Sequence, residues 1–207
     1  FPRILHHTWK NAMIPAKWKN STGACKTLNP NYRYMFWTDR DIENLILKEY
    51  PWFWDTYRNY QYNIQRADAG RYFILYHYGG VYADLDIQCK FPFDQILENV
   101  THYDIVLPQG PPIGVTAEVM FAKPRHRFLE LVIHSLEEAN QWRVFPYATI
   151  IFSTGPMFMS NCLMKYEHKD QFYIIPHEIY SEKLFINLHG GSWHEWDGDF
   201  IFWVYTH

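Results

Sequence analysis

The chain has 207 residues, 48% of them hydrophobic and 20% charged, and a net charge of −3. That is one ordinary domain with apolar material enough for a sizeable core, which argues against disorder. No long basic run is present to neutralise phosphates, so nucleic acid is disfavoured as a partner. No uninterrupted apolar stretch is long enough to span a bilayer.

Arg3 to Trp9 reads as a first strand running into a loop, and a helix can begin after Pro15 and run to Lys26. In an α/β nucleotide fold the carboxyl end of the first strand faces the ligand crevice, so Trp9 is a candidate to stack on a base; a core Trp is the alternative. Tyr32 to Trp37 alternates and is rich in β-formers, which predicts a second strand. Thr38 and Asp39 can cap a helix from Asp39 to Glu49, which Pro51 ends or redirects.

Ile64 to Tyr78 has helical character, and Gly79-Gly80 supplies its stop. Asp68 and Arg71, three apart, share a face of that helix: either a surface ion pair of small worth, or a pair gripping sugar hydroxyls, with Arg66 as a further cation nearby. Val81 to Ile87 then reads as a buried strand ending in two acids. On a strand, Asp84 and Asp86 point to one face and Leu85 into the core. Two converging carboxylates repel unless a cation lies between them or one holds a proton. Mg²⁺ or Mn²⁺ suits such a pair and can bridge to phosphate oxygens. An Asp-x-Asp triplet alone is more often a solvated acidic turn; the helix, glycine break and apolar strand before it favour a donor site.

Asp104 to Leu107 predicts another strand, followed by a Pro/Gly-rich turn from Pro108 to Gly114. Phe128 to Asn140 predicts a helix. A loop at Ser153-Thr154-Gly155-Pro156 continues into a helix to Met164. Phe172 to Ile175 is a further strand. The Gly-, His- and Trp-rich stretch from Asn187 to Asp199 reads as an active-site loop. There Ser192 and His194 could reach a diphosphate or metal, Trp193 could offer its indole N–H, and His189 gains weight as a ligand. His6, His7, His126 and His134 read as ordinary polar or packing residues. Cys25, Cys89 and Cys162 lack zinc-type spacing; one disulfide plus a thiol, or three thiols, are both open. Sequons at Asn20 and Asn99 lean towards a secretory lumen. No Gly-x-Gly-x-x-Gly, phosphate-loop or Gly-x-Ser-x-Gly motif is present, which weakens dehydrogenase, kinase and serine-hydrolase readings.

The strings Ile64–Phe73, Tyr78–Asp86, Ile4–Lys10 and Tyr34–Asp39 together resemble the D-x-D glycosyltransferases of family 32. Further segments resemble the fungal inositol-phosphoceramide mannosyltransferases within it. These include Tyr50–Phe53, Ile113–Val115, Pro124–His126, Phe145–Ile150, Ser153–Pro156 and Ser192–His194. The resemblance implies an α/β fold of GT-A type, a Rossmann-like nucleotide-binding domain with a mixed central sheet, filled by residues 1–207 as one catalytic domain. It implies a retaining transfer of mannose from GDP-mannose, with Mn²⁺ or Mg²⁺, to an inositol phosphoceramide at the Golgi lumenal face. By the same resemblance Asp86 ligates metal, and Asp84 contacts ribose, sugar or metal. Asp68 and Arg71 hold the donor sugar, Trp9 lies by the base, and Ser192 and Trp193 close over the diphosphate. A membrane surface and a regulatory membrane subunit are the implied partners, with anchors lying outside an excised domain. Two other readings stand beside it: a relative using a UDP-sugar and a glycan or protein acceptor, and a non-catalytic carbohydrate-binding domain.

Overall fold

The computed structural model describes residues 1–111 and 113–189. In chain order, β1 (Ile4–Trp9) leads through a 3-10 turn to α1 (Lys19–Leu28). Next come β2 (Arg33–Thr38), α2 (Asp39–Glu49), α3 (Trp54–Arg58), α4 (Asn63–Tyr78), β3 (Gly80–Ala83) and β4 (Ile87–Cys89). After α5 (Phe93–Leu97) follow β5 (Ile105–Pro108), β6 (Val119–Ala122), α6 (Arg127–Ala139), α7 (Pro146–Ser153) and α8 (Pro156–Lys165). The described chain closes with β7 (Phe172–Ile175), a π-helical turn over Ile179–Leu184 and β8 (Phe185–Asn187).

The main sheet has six strands in the order β2-β1-β3-β6-β5-β7, and β4 pairs with β8 in a separate two-stranded sheet. β1 lies parallel to β2 and β3, β5 lies parallel to β7, and β6 runs antiparallel to both β3 and β5. The sheet is therefore mixed, as expected. β1, β3 and β5 all end at the same edge. One core packs α2, α4, α6 and α8 on one side of the sheet, and a second gathers β4, α5, β8 and Cys25.

Local chemistry explains the frame. Thr38 accepts from Asp41 N while the Asp41 carboxylate accepts from Thr38 N, a reciprocal cap that starts α2 where expected. Gly79 (φ 62°) and Gly80 (φ 97°) reverse the chain from α4 into β3. A Cβ on Gly79 would stand 2.6 Å from Pro124, and one on Gly80 2.6 Å from the Ile4 carbonyl, so no other residue fits this turn. His6 is buried beside it. Its Nε2–H donates to the Gly79 carbonyl (2.9 Å), and its Nδ1 accepts from the Trp37 indole (3.1 Å). Both ring nitrogens are used only when the ring is neutral, and burial lowers its pKa to about 4. His7, also buried, bonds Tyr34 and is lowered to about 3. Both are packing residues, as their positions on β1 suggest.

Several expectations need correction. The strand expected to run from Val81 to Ile87 breaks after Ala83, and Asp84–Asp86 form a turn closed by Ile87 N donating to the Asp84 carbonyl (3.1 Å). Strand alternation therefore does not align the two acids; the turn keeps Asp86 near enough for its charge to raise Asp84. β6 was not expected, because Val-Met-Phe-Ala is too short and too uniformly apolar to show a period. α7, begun by Pro146 at its first turn, was not expected; it ends at Ser153, and the expected break follows at Thr154-Gly155 before α8. Of the two open cysteine states, the structure has Cys25 bonded to Cys89 and Cys162 free and buried.

Candidate functional site

At the carboxyl edge of β1 and β3, α4 contributes a buried carboxylate and a buried guanidinium. Arg71 Nη2 lies 2.8 Å from Asp68 Oδ1, and both side chains are nearly fully buried. A surface ion pair is thereby ruled out. Thr154, at the end of α7, donates to the other Asp68 oxygen (3.0 Å). Arg71 Nη1 donates to the Ala117 carbonyl (3.0 Å) and lies 3.4 Å from Asp84 Oδ2. The guanidinium lies 5.1 Å from the centre of the Tyr82 ring. Tyr82 donates to Asp84 Oδ1 (2.7 Å) and accepts from Thr8 (2.9 Å). A continuous polar chain thus runs from α7 through α4 to the acidic turn.

The charges follow from burial. Burial pushes Asp68 up to about 6, against the pull of Arg71 and of Thr154. Burial opposes the charge on Arg71, but Asp84, Tyr82 and Asp68 outweigh it and keep the guanidinium protonated. Burial raises Asp84 as well; Arg71 counters this, and the neighbouring negative charge of Asp86 adds to it.

The acidic turn is fixed from several sides. Ser21 donates to the Leu85 carbonyl, and the Leu85 side chain is buried, as expected. Asp84 N donates to the Glu118 carbonyl (2.9 Å), and Leu188 N to the Asp86 carbonyl (2.9 Å). The Glu118 carboxylate accepts from Tyr180 (2.7 Å) and from the Asn187 amide (2.7 Å), tying β8 and the turn before it to the start of β6. Burial pushes Glu118 up to about 7, the Tyr180 bond opposes this, and Asp84 and Asp86 raise it further.

A divalent cation fits this donor set. Mg²⁺ or Mn²⁺ commonly takes one or two carboxylates, completing its shell with water and phosphate oxygens. The charge of Asp86 acting on Asp84, and of both on Glu118, marks a field that a cation would relieve. His189 is exposed (φ 51°), its N–H bound to Asn187 Oδ1 (2.7 Å). Among the described residues no three His, Cys, Asp or Glu side chains gather as a metal cluster, so His189 does not join the two acids as a preformed third ligand.

Trp9 ends β1 at this edge, half-buried, opposite Thr38 in the sheet register. Arg66 turns away, donating to the Tyr60 carbonyl (2.6 Å) and to Asn63. Ser192, Trp193 and His194 lie outside the described residues. Sequence reasoning missed Glu118, Tyr82, Thr8 and the bond from Thr154 to Asp68. Glu118 left one faint sign, a lone acid just before an apolar four-residue run.

Residues 15–102 match the family described as the glycosyltransferase sugar-binding region containing a DXD motif. The inositol phosphoceramide mannosyltransferase 1 of Schizosaccharomyces pombe is 37% identical over 98% of this chain and 65% of its own length. A mannosyl phosphorylinositol ceramide synthase of Saccharomyces cerevisiae is 40% identical over 93% of this chain and 52% of its own. The chain thus spans about half to two thirds of these relatives. Among solved structures, the ligand-free glycosyltransferase domain of the YGT toxin superposes with a TM-score of 0.57 at 9% identity, covering 97% of this chain and 84% of that one. The PaToxG glycosyltransferase gives 0.56 at 13% identity, covering 79% and 69%. The likeness to these two is one of fold.

Proposed function

We propose that the chain is a DXD-containing glycosyltransferase of GT-A fold that moves mannose from GDP-mannose to inositol phosphoceramide with retention of configuration. The observation that carries the reading is the buried chain Thr154–Asp68–Arg71–Asp84 ending on the turn that presents Asp86. A buried ion pair is weak evidence for stability. It is well suited to presenting a fixed array of donors and acceptors to a polyhydroxyl ligand.

In this reading Asp86, with Asp84 beside it, holds Mn²⁺ or Mg²⁺, which when bound neutralises charge on the leaving diphosphate. Asp84 also faces ribose or sugar, Asp68 and Arg71 hold the sugar, and Trp9 lies against the base. Ser192, Trp193 and His194 would close over the diphosphate. Asp68 engages one oxygen with Arg71 and the other with Thr154, and Glu118 commits both of its own to Tyr180 and Asn187. Each is held as an anchor, which supports same-face attack over a covalent adduct. The bond from the anomeric carbon to the diphosphate oxygen breaks and a bond to an inositol hydroxyl forms. The hydroxyl proton passes to the departing diphosphate.

Residues 1–207 would be the catalytic domain of a longer protein at the Golgi lumenal membrane, working beside a regulatory membrane subunit. The Cys25–Cys89 disulfide suits an oxidising compartment, and both sequon residues, Asn20 and Asn99, are exposed. Among the described residues no helix is long and apolar enough to cross a membrane. The test is a panel of GDP- and UDP-sugars with and without Mn²⁺, with product analysis on inositol phosphoceramide. Mannosyl transfer from GDP-mannose is expected; turnover with UDP-sugars alone would refute it.

A further inference from the structure

Among the described residues, four of the five most exposed large apolar side chains are Met13 (79%), Val144 (78%), Ile113 (72%) and Trp142 (59%). They lie far apart in sequence, on three loops, with Phe145 (44%) beside two of them. The topology brings those loops to one edge. Residues 10–15 follow β1 and residues 109–118 follow β5; both strands run parallel to β3, which ends at the acidic turn. α6 turns back from the far end of antiparallel β6, so the loop after it, 140–145, returns to the edge where Asp84 sits. Thr154, at the end of the following helix, touches Asp68 there.

Charge separates these loops from the rest of the molecule. The chain carries 22 acids against 19 Lys and Arg, yet residues 10–17, 109–114 and 141–145 contain no Asp or Glu and hold Lys10, Lys17 and Arg143. Each cation lies over an aromatic ring: Lys10 at 5.9 Å from Trp9, Lys17 at 4.4 Å from Trp18, Arg143 at 5.8 Å from Phe152. Exposed apolar tips interleaved with cations and rings are the chemistry of a bilayer interface: rings and aliphatic tips enter the headgroup boundary while cations meet lipid phosphate.

We infer that the loop residues 10–17, 109–111, 113–114 and 141–145 form a rim that seats on an anionic bilayer surface, holding the mouth of the site against the headgroups. The inference rests on the lipid-acceptor reading above. A two-chain lipid does not leave the bilayer readily, so its headgroup is reached only by a site brought to the surface. The acidic turn lies behind a cationic, apolar rim, and the acceptor's own phosphodiester adds to the attraction.

The test is sedimentation of the 207-residue chain with vesicles of phosphatidylcholine alone or with phosphatidylserine, run beside hydrolysis of GDP-mannose without acceptor. Met13→Ser/Ile113→Ser/Phe145→Ser should weaken vesicle binding by about ten-fold or more. Lys10→Gln/Arg143→Gln should weaken binding to anionic vesicles by about thirty-fold while sparing neutral ones. Leu47→Ser/Ile186→Ser, exposed apolar positions outside the rim, should bind like the parent, and donor hydrolysis should persist in all. Binding unchanged by the rim variants, or a parent that hydrolyses donor but ignores vesicles, would overturn the rim. So would a self-associated parent that the rim variants dissociate, since a second copy would then cover this face. Vesicle binding that the rim variants abolish, with no turnover of any GDP-sugar, would sustain the rim and refute the mannosyl reading instead.

Discussion

The two halves of the site are held by different means. Asp68, Arg71 and Asp84 rest on regular structure: α4, the Gly79-Gly80 reversal and the end of β3 place them, with Asp68 and Arg71 buried and Asp84 part-buried. Asp86 rests on the turn into the small β4–β8 sheet, which is secured by individual ties. These are the Cys25–Cys89 disulfide, Ser21 to the Leu85 carbonyl, Leu188 N to the Asp86 carbonyl, and Glu118 to Tyr180 and Asn187. The first half is rigid because the core is rigid. The second depends on a few bonds, and it can be loosened without unfolding the sheet.

The sharpest break is in the acids. Asp84→Asn and Asp86→Asn should each lower transfer on the order of a thousand-fold or more; without metal the melting temperature should change little in Asp86→Asn and fall in Asp84→Asn, which takes a charge partner from buried Arg71. Preserved transfer would reject the assignment. Next comes the tie that marks the second half. The disulfide closes a separation of 64 residues, so Cys25→Ser/Cys89→Ser should cost about 4 kcal/mol in denaturant unfolding. Its loss should weaken donor binding more than it disturbs the Asp68–Arg71 pair; an equal loss of exchange protection along α4 would erase the distinction. Leu85→Ala, at the junction of the halves, should cost roughly 2–5 kcal/mol, read from the shift in denaturation midpoint. An unchanged midpoint would mean that Leu85 is not packed.

A pH-graded effect belongs to the first half alone. His6 and His7 are held neutral in the fold, at about 4 and about 3, and titrate near 6.5 when unfolded. Between those values the unfolded chain binds more protons, so stability falls as pH falls. It is fully present above 6.5 and declines from 6.5 towards 4 for His6 and towards 3 for His7, by roughly 1 kcal/mol per pH unit for each ring. His6→Gln should flatten that decline in urea unfolding measured at pH 4.5, 5.5 and 7. A slope unchanged by the substitution would show that His6 is not held neutral.

Regular structure is also what the sequence makes legible. The helix Asn63–Tyr78 and its glycine stop, the cap at Thr38 and the strands β1, β2, β5 and β7 follow from periodicity and punctuation. They suffice to set Asp68 and Arg71 beside the acidic segment. The ties of the second half leave no such trace. Glu118 meets Tyr180 and Asn187 across 62 and 69 residues, and Ser21 meets Leu85 across 64. β6 and β8 take four and three residues, and their pairing partners alone define them. The exposed rim was equally hidden, because exposure at one edge belongs to topology and not to any local pattern.

A calorimetric titration of GDP-mannose into the protein, with Mn²⁺ and then with chelator, tests the central claim most directly. The account predicts saturable binding in Mn²⁺ that falls steeply on chelation, and a binding curve for Asp86→Asn that no longer responds to the metal. Equal affinity with and without Mn²⁺, or a metal response intact in Asp86→Asn, would contradict it.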